Sequence, residues 1–349
     1  MDRKLASIQN VEHLEPIIGA DKIELATVLG WRTVVPKGCF KPGDRCVYFE
    51  VDAVLPDGPV WSEFMRPRKF RVKTLRLRGQ LSQGLALPLT EVLPETAGDE
   101  PHTHLGNDLT EQLGVTKHEA YTPSHPDAAG NFPRYLRKTE EVRLQSAPRV
   151  LAELVGRSLY MTQKLDGTSC TIVNPPPELD DGGVFACSRN MKLKRIPAVG
   201  SFSNDWYNGI IDFHDLDHKL PVGYAIQGEI VGPGIQGNPL QLTRHQMFVF
   251  SVYDIVRGAY VDYALAVDFV TRIGMEFVPV LAEFYADGWA THENDNTLGF
   301  WLEAADGYYG SGERQEGIVV RPMVETHSLA LDGRLSFKVI SNAFLLAEK

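Results

Sequence analysis

Five strand-like runs after residue 160 carry charge where a buried strand would be apolar. They are KLDGTS at 164–169, SRN at 188–190, QGEIVG at 227–232, EGIVV at 316–320 and FKVIS at 337–341. The first lies within MTQKLDGTSCTI, where Met161, Thr162, Cys170, Thr171 and Ile172 have the apolar, β-branched texture of half-buried sheet. A single lysine in such a run ordinarily marks an edge or a snorkelling side chain. A series of them requires more, because burying a lone charge without a partner costs several kcal/mol. Lys164, Asp166, Glu229, Glu316 and Lys338 are therefore expected to converge.

The pattern around them limits the folds that can bring this about. Residues 1 to about 90 read as short strands punctuated by Gly and Pro: LATVLGWRTVVPKG, then CVYFEVDAVLP after the turn KPGD, then KFRVKTLRLRG and GLALPL. Strands at that spacing predict a small β-barrel of the oligonucleotide/oligosaccharide-binding (OB) type. Residues 94–146 are rich in Pro, His, Asp and Thr and have little periodicity, as a linker does. From 147 onward strands alternate with helices. The helical segments are APRVLAELVG with Gly156 past its end, NDWYNGIIDFHDL, VDYALAVDFVTRIG with Gly274 as C-cap, and NTLGFWLEAADG. The hydrophobic runs GYAIQGEIVG, QMFVFSVYDIV, EGIVVRP and LSFKVI supply strands between them. The expected organisation is an OB-type domain over 1–115, a linker over 116–146 and an α+β domain over 147–349.

A net charge of −10 argues against a chain that coats nucleic acid non-specifically. The segment RPRKFRVKTLRLR at 66–78 nevertheless holds seven basic groups and no acidic one, Arg71, Lys73, Arg76 and Arg78 among them. A basic patch on an acidic protein favours a defined polyanion track. The same residues would also serve as a solvated strand face guarding a sheet edge. Cys39, Cys46, Cys170 and Cys187 form no CxxC pair, so neither a zinc site nor a redox motif is signalled. The N-terminal residues lack an apolar signal core, and no stretch approaches the roughly 18 consecutive apolar residues of a membrane span. A cytoplasmic protein without membrane contact is expected.

Two lysines, an arginine and three carboxylates around one pocket suit the transfer of a phosphoryl-type group. Lys164, Lys338 and Arg189 would neutralise phosphate, and Asp166, Glu229 and Glu316 would hold a hard divalent cation through oxygen or water. A lysine can also attack phosphorus itself when burial or a neighbouring cation depresses its pKa, and Lys164 is the candidate. In order and identity these elements resemble the motifs of the covalent nucleotidyltransferases, the superfamily of polynucleotide ligases and mRNA capping enzymes. Its KxDG motif is matched by Lys164-Leu165-Asp166-Gly167-Thr168-Ser169, and the next by Ser188-Arg189-Asn190. Gly228-Glu229, the VYDI ending at Ile255, Glu316-Gly317-Ile318-Val319-Val320 and the segment around Lys338 follow in the family's order. The resemblance covers roughly residues 160–341. The last motif commonly reads KxK; here Lys338 is followed by Ile340, or, with the alignment shifted by two, preceded by Ser336.

The resemblance implies an α+β fold in which an N-terminal OB-type β-barrel precedes a ligase-type nucleotidyltransferase domain of antiparallel sheets with flanking helices. DNA ligases and capping enzymes carry their OB domain after the last motif. This chain runs eight residues past Ser341 and has its β domain first, an arrangement similar to Deinococcus-type RNA ligases. Three steps are implied, with ATP as substrate and Mg2+ or Mn2+ as cofactor. Lys164 takes AMP from ATP, AMP passes to a 5′-phosphate end, and a 3′-hydroxyl attacks that end and releases AMP. Gly167 would permit close backbone approach beside the nucleophile. Ser169 and Glu229 would bind the ribose, Tyr253 would stack on adenine, and Arg189 and Lys338 would meet phosphate. Asp166, Glu229 and Glu316 would hold the metal through its waters. The implied partner is RNA, or a nicked duplex with RNA on its 3′-hydroxyl side, gripped by Arg71, Lys73, Arg76 and Arg78 of a monomer.

Other readings are a DNA ligase-like or capping-type transferase, and a non-catalytic nucleic-acid-binding protein with a degenerate transferase fold. An intact nucleophile and metal-holding carboxylates weigh against the last, since a binding module has no need of them. The run from Gly232 through Gly234 to Gly237 is a literal GxGxxG after a strand, but Asn238-Pro239-Leu240 opens no helix whose N-terminus could take a pyrophosphate. A nicotinamide site is therefore not expected.

Overall fold

The computed structural model describes residues 4–94, 104–118, 127–196, 205–287 and 295–347. It divides into two compact units, Met1–Thr122 with Leu345–Lys349, and Pro123–Phe344.

Short antiparallel strands build the first unit. Ala6–Asn10, Arg45–Phe49 and Leu85–Pro88 form one sheet, and His13–Pro16, Ile23–Val28 and Trp31–Pro36 another. The hairpin between Ile23–Val28 and Trp31–Pro36 turns through Leu29 and Gly30, both at positive φ, which matches the twist of the strands they join. Trp31, Val28, Val35 and Tyr48 pack one apolar cluster, and Ile8, Val47, Phe49 and Leu87 a second. This is the OB-type β region that the turn-punctuated sequence predicts. KFRVKTLRLRG, expected as one strand, is broken. A 3₁₀ turn over Val60–Arg68 ends with Lys69 and Phe70 in the left-handed region, and only Leu75–Leu77 is strand, hairpinned to Gln80–Ser82. A pair of left-handed residues reverses the chain, so no continuous strand can run through them.

Two sheets form the second unit. The larger, eight-stranded, runs in the order Ala128–Asn131, Met191–Leu193, Phe185–Cys187, Thr168–Asn174, Tyr224–Val231, Gln246–Asp254, Ala259–Tyr260, with Glu276–Phe277 alongside Gln246–Asp254. The smaller, five-stranded, runs Val142–Arg143, Phe337–Ile340, Gly317–Pro322, Ser158–Lys164, Val280–Tyr285. Helices Trp206–His214 and Tyr263–Arg272 cover one face of the larger sheet through Ile210, Ile211, Ala266 and Val270, which meet Ile172, Ile226 and Val252. Helix Asp295–Ala305 covers one face of the smaller sheet through Trp301 and Ala305 against Ile318, Val320 and Phe337. The segment APRVLAELVG also packs there, as a 3₁₀ helix over Pro148–Leu154 and not an α-helix, with no side-chain cap at its start.

Parts of the segment expected as linker are sheet edges. Thr116–Lys117 pairs with Ala53–Val54 in the first unit, while Ala128–Asn131 and Val142–Arg143 join the two sheets of the second. The glycine run 232–237 is a loop of turns after Tyr224–Val231 with no helix behind it. Among the described residues, no helix is long and apolar enough to cross a membrane.

Candidate active site

The faces of the two sheets that helices leave uncovered look towards each other. Along the smaller sheet, period-2 alternation turns Leu159, Ile318, Val320, Phe337 and Val339 into the helix-covered core. The opposite face carries Tyr160, Thr162 and Lys164, with Val319, Arg321 and Lys338 beside them in register. From the larger sheet, Ser169 and Glu229 pair across neighbouring strands, and Glu229 pairs in turn with Phe248. Leu165, Val231, Phe248, Val278 and Tyr309 form the apolar cluster that closes one end of the space.

Lys164 is the last residue of its strand and stands opposite Gly317, so its amine reaches the carboxylate of Glu316. Nζ and Oε2 are 2.5 Å apart, with the side chains 24% and 17% exposed. Two glycines beside the pair let the backbone pack closely against neighbouring strands. A Cβ on Gly317 would lie 2.1 Å from the Val339 carbonyl oxygen, and one on Gly167 would lie 2.4 Å from that of Ile230 and 2.9 Å from Glu229 Cγ. Only glycine lets either backbone come so close.

The charges interact as the convergence argument requires. Burial pulls the Lys164 ammonium down, as a nucleophile needs, but Glu316, Glu229, the hydrogen bond to Glu316 and Glu141 outweigh it and leave the pKa raised. The expected depression is therefore not found, because the carboxylates solvate the ammonium in place of water. Burial pushes Glu229 up to about 8, reinforced by Glu316, Asp166 and Glu141 against the pull of Lys164. Lys338 goes the other way, down to about 8, through burial and the neighbouring charges of Lys164 and Arg143, opposed by Glu141 and Glu316.

Behind the lysines, Arg321 is 2% exposed and bonded to Glu141 at 2.6 Å and to the Ser336 hydroxyl at 3.0 Å. Burial opposes the Glu141 charge, yet Arg321, with Lys338 and Arg334 beyond it, holds the carboxyl down to about 2. Ser336 is thus engaged in this network, and Ile340 is buried at 4% exposure, so Lys338 alone of the last motif offers charge to the cleft.

Other predicted residues lie elsewhere. Arg189, in the turn before Met191–Leu193, is 60% exposed and bonded to Glu140 at 3.1 Å, outside the hydrogen bonds of the lysine cluster. Tyr253 is 3% exposed, edge-on to Tyr260 and packed among Leu136, Val173 and Phe185. Its ring belongs to the core; Phe250, half-buried beneath the Arg321 guanidinium at 5.5 Å, is an aromatic of that strand on the cleft side. Arg71 is paired with Asp52 at 2.8 Å and is only 21% exposed, whereas Lys73, Arg76 and Arg78 are exposed around the short hairpin of the first unit.

The carboxylate set fits a divalent cation. Burial raises Glu229 most, and the charges of Glu316 and Asp166 add to it, a repulsion that added positive charge would relieve. Among the described residues no three His, Cys, Asp or Glu side chains form a direct metal cage, which is compatible with a cation held through its own waters. Tyr309, Glu141 and Arg321 were not foreseen as part of the site. Tyr309 sits in the loop DGYYGSGERQ and Glu141 in the segment read as linker, and neither stretch has strand periodicity to draw attention to it.

Comparison with known proteins accords with this architecture. An OB-fold domain family matches residues 5–89, and the RNA ligase family matches residues 157–340. Solved structures of Naegleria gruberi RNA ligase are similar over 98% of both chains at 31% identity. A mutant with AMP and Mn and a mutant with ATP and Mn each give a TM-score of 0.81, and the enzyme with pyrophosphate gives 0.80. No curated protein sequence matches the chain. An OB-fold unit followed by a nucleotidyltransferase unit defines the class, and the chain belongs to the RNA ligase family.

The Glu141–Arg321 pair yields a stability prediction. Glu141→Gln leaves a buried guanidinium without its counter-charge, and breaking such a pair costs about 3 kcal/mol or more. A carboxylate with a depressed folded-state pKa contributes stability in full above its ordinary range, and loses it as the pH falls towards about 2. Thermal unfolding should show the variant several degrees below wild type near neutrality, with the gap narrowing through the acid range. A gap that does not change with pH would show that the ion pair is not its cause.

Proposed function

We propose that Lys164 carries AMP in an ATP-dependent RNA ligase reaction, and that the protein seals 3′-hydroxyl and 5′-phosphate ends at nicks in duplexes with RNA on the 3′-hydroxyl side. The observation that carries this is the Lys164–Glu316 pair, an amine held at a strand end by carboxylates that themselves call for a cation. Membership of the RNA ligase family supports the reaction class. The Naegleria gruberi ligase structures with ATP and Mn, AMP and Mn, or pyrophosphate support ATP as substrate and Mg2+ or Mn2+ as cofactor here. The OB-fold match ahead of the ligase match supports a Deinococcus-type arrangement. The protein acts as a monomer in the cytoplasm, away from membranes.

In the first step Lys164 Nζ, once deprotonated, attacks the α-phosphorus of ATP; the N–P bond forms as the P–O bond to pyrophosphate breaks. A divalent cation held by Asp166, Glu229 and Glu316 would counter the negative charge that keeps Lys164 protonated, and so lower its pKa. Lys338 meets the phosphates from two strands away, and Arg189 adds a further phosphate contact. Ser169 and Glu229 hydrogen-bond the ribose, and Phe250, not the buried Tyr253, stacks on the base. AMP then passes from Lys164 to the 5′-phosphate end, and the 3′-hydroxyl displaces it to close the nick.

Sugar dependence tests the substrate. A 2′-hydroxyl at the break offers a hydrogen-bonding group and biases the duplex towards A-form, which a surface can sense by shape. Among nicked duplexes differing only in the sugars of the 3′-hydroxyl strand, those ending in RNA should be sealed at least about tenfold faster. Equally fast sealing of an all-DNA strand would assign the protein a DNA ligase function instead.

The exposed hairpin provides a second prediction. Replacing Lys73, Arg76 and Arg78 together by Gln should leave adenylylation within about twofold of wild type while weakening nick binding. The slope of log affinity against log salt should flatten by about 2–3 units if each side chain neutralises a phosphate. An unchanged slope would mean that the hairpin does not touch the polynucleotide.

A further inference from the structure

Three backbone groups at the site end on one hydroxyl. Tyr309 Oη donates to the Lys164 carbonyl at 2.9 Å and accepts from the amides of Asp166 at 3.1 Å and Glu316 at 3.0 Å. A phenol oxygen has one proton and two lone pairs, so this set uses its whole capacity. The groups it joins flank the nucleophile on one strand end and open the neighbouring strand with the carboxylate that holds the nucleophile.

The hydroxyl is itself fixed. The Tyr309 ring is 3% exposed and lies among Leu165, Val231, Phe248 and Val278. Its amide donates to the Glu313 carbonyl at 2.8 Å, and its carbonyl accepts from Gly312 at 2.9 Å. The loop is anchored to the Lys164 strand by Gln163, whose Nε2 donates to the Tyr308 carbonyl at 3.1 Å and to Gln315 Oε1 at 2.8 Å. Ser311 ties the far side to the Pro239 carbonyl at 2.6 Å. A ring locked this firmly holds its oxygen, and with it the ends of two strands, in one place.

We propose that Tyr309 is a positioning residue for adenylylation, its hydroxyl setting the Lys164 amine against Glu316 in the geometry from which the amine attacks phosphorus. This rests on Lys164 being the adenylylated group. Attack requires the amine in line with the departing pyrophosphate, and a misplacement of about 1 Å costs on the order of a hundredfold in rate. Lys164 stands at a strand end, where the ladder holds it from one direction only, and the hydroxyl holds it from the other.

Tyr309→Phe keeps the ring and its packing and removes only the oxygen. Single-turnover transfer of AMP from ATP to the protein, followed across ATP concentrations, should show the maximal rate down by about tenfold to a hundredfold, with half-saturating ATP within about threefold of wild type. The same sample should seal an RNA end already carrying AMP at a rate within about threefold of wild type, because that reaction bypasses the attack by Lys164 and reports that the domain is folded. A variant that adenylylates at the wild-type rate would overturn the proposal. So would equal losses in both reactions, which general loosening of the domain produces, or a loss confined to half-saturating ATP. Failure of the ligase assignment would look different: wild type itself would form no lysyl-adenylate.

Discussion

Everything at the centre of the transferase unit depends on one ion pair between adjacent strand ends, Lys164 with Glu316 at 2.5 Å. A lysine in a sheet interior is costly unless a carboxylate meets it, and a second and third carboxylate are costly unless a cation meets them. Glu316 answers the first requirement. Burial, and then Glu316 and Asp166, raise Glu229 against the pull of Lys164, so the side chains themselves meet the second only in part. The site thus holds its nucleophile protonated and its carboxylates crowded, a state that binding of positive charge and of a polyphosphate would shift together. Lys338 goes the opposite way from Lys164 because burial and the charges of Lys164 and Arg143 outweigh Glu141 and Glu316 there, so the field at the cleft is balanced group by group and not by net charge.

Around that pair the backbone is arranged to permit closeness. Gly167 and Gly317 allow contacts that any Cβ would forbid, and one tyrosine hydroxyl binds the two segments they belong to. Glu141 and Arg321 form a second buried pair behind the first, with Ser336 bonded to it, and this pair fixes the strand that bears Lys338. The face opposite is ordinary apolar packing, with Trp301 and Phe337 among its largest members. One sheet therefore separates a dry core from a charged cleft, and alternation along its strands decides which residue serves which side.

Most of the sheet framework was legible in the sequence because strand periodicity and Gly or Pro punctuation are local signals. The strands around Lys164, Glu229, Glu316 and Lys338, and the helices at Trp206–His214, Tyr263–Arg272 and Asp295–Ala305, follow from them. Convergence of the charges was legible too, since burial without partners is prohibitive. What escaped was non-local. Tyr309 acts through its oxygen on residues 143 and 145 positions away, and Glu141 pairs across 180 positions with Arg321. The sign of the Lys164 shift depends on how many carboxylates surround it, which spacing alone does not reveal. Tyr253 illustrates the same limit: it lies on the same sheet face as Glu229, but Leu136, Val173 and Phe185 bury it there, and spacing along the strand does not reveal that covering. In the basic run, Arg71 was expected on a nucleic-acid surface with its neighbours but meets Asp52 instead.

The central claim is that Lys164, and no other residue, is the group that takes AMP. Mapping by mass spectrometry of the full-length protein after incubation with ATP and Mn2+ tests it most directly. The account predicts a single acid-labile AMP on the peptide containing Lys164, and none in Lys164→Arg, whose guanidinium stays protonated and cannot attack. AMP attached to a different residue, or an adduct that persists in Lys164→Arg, would contradict it.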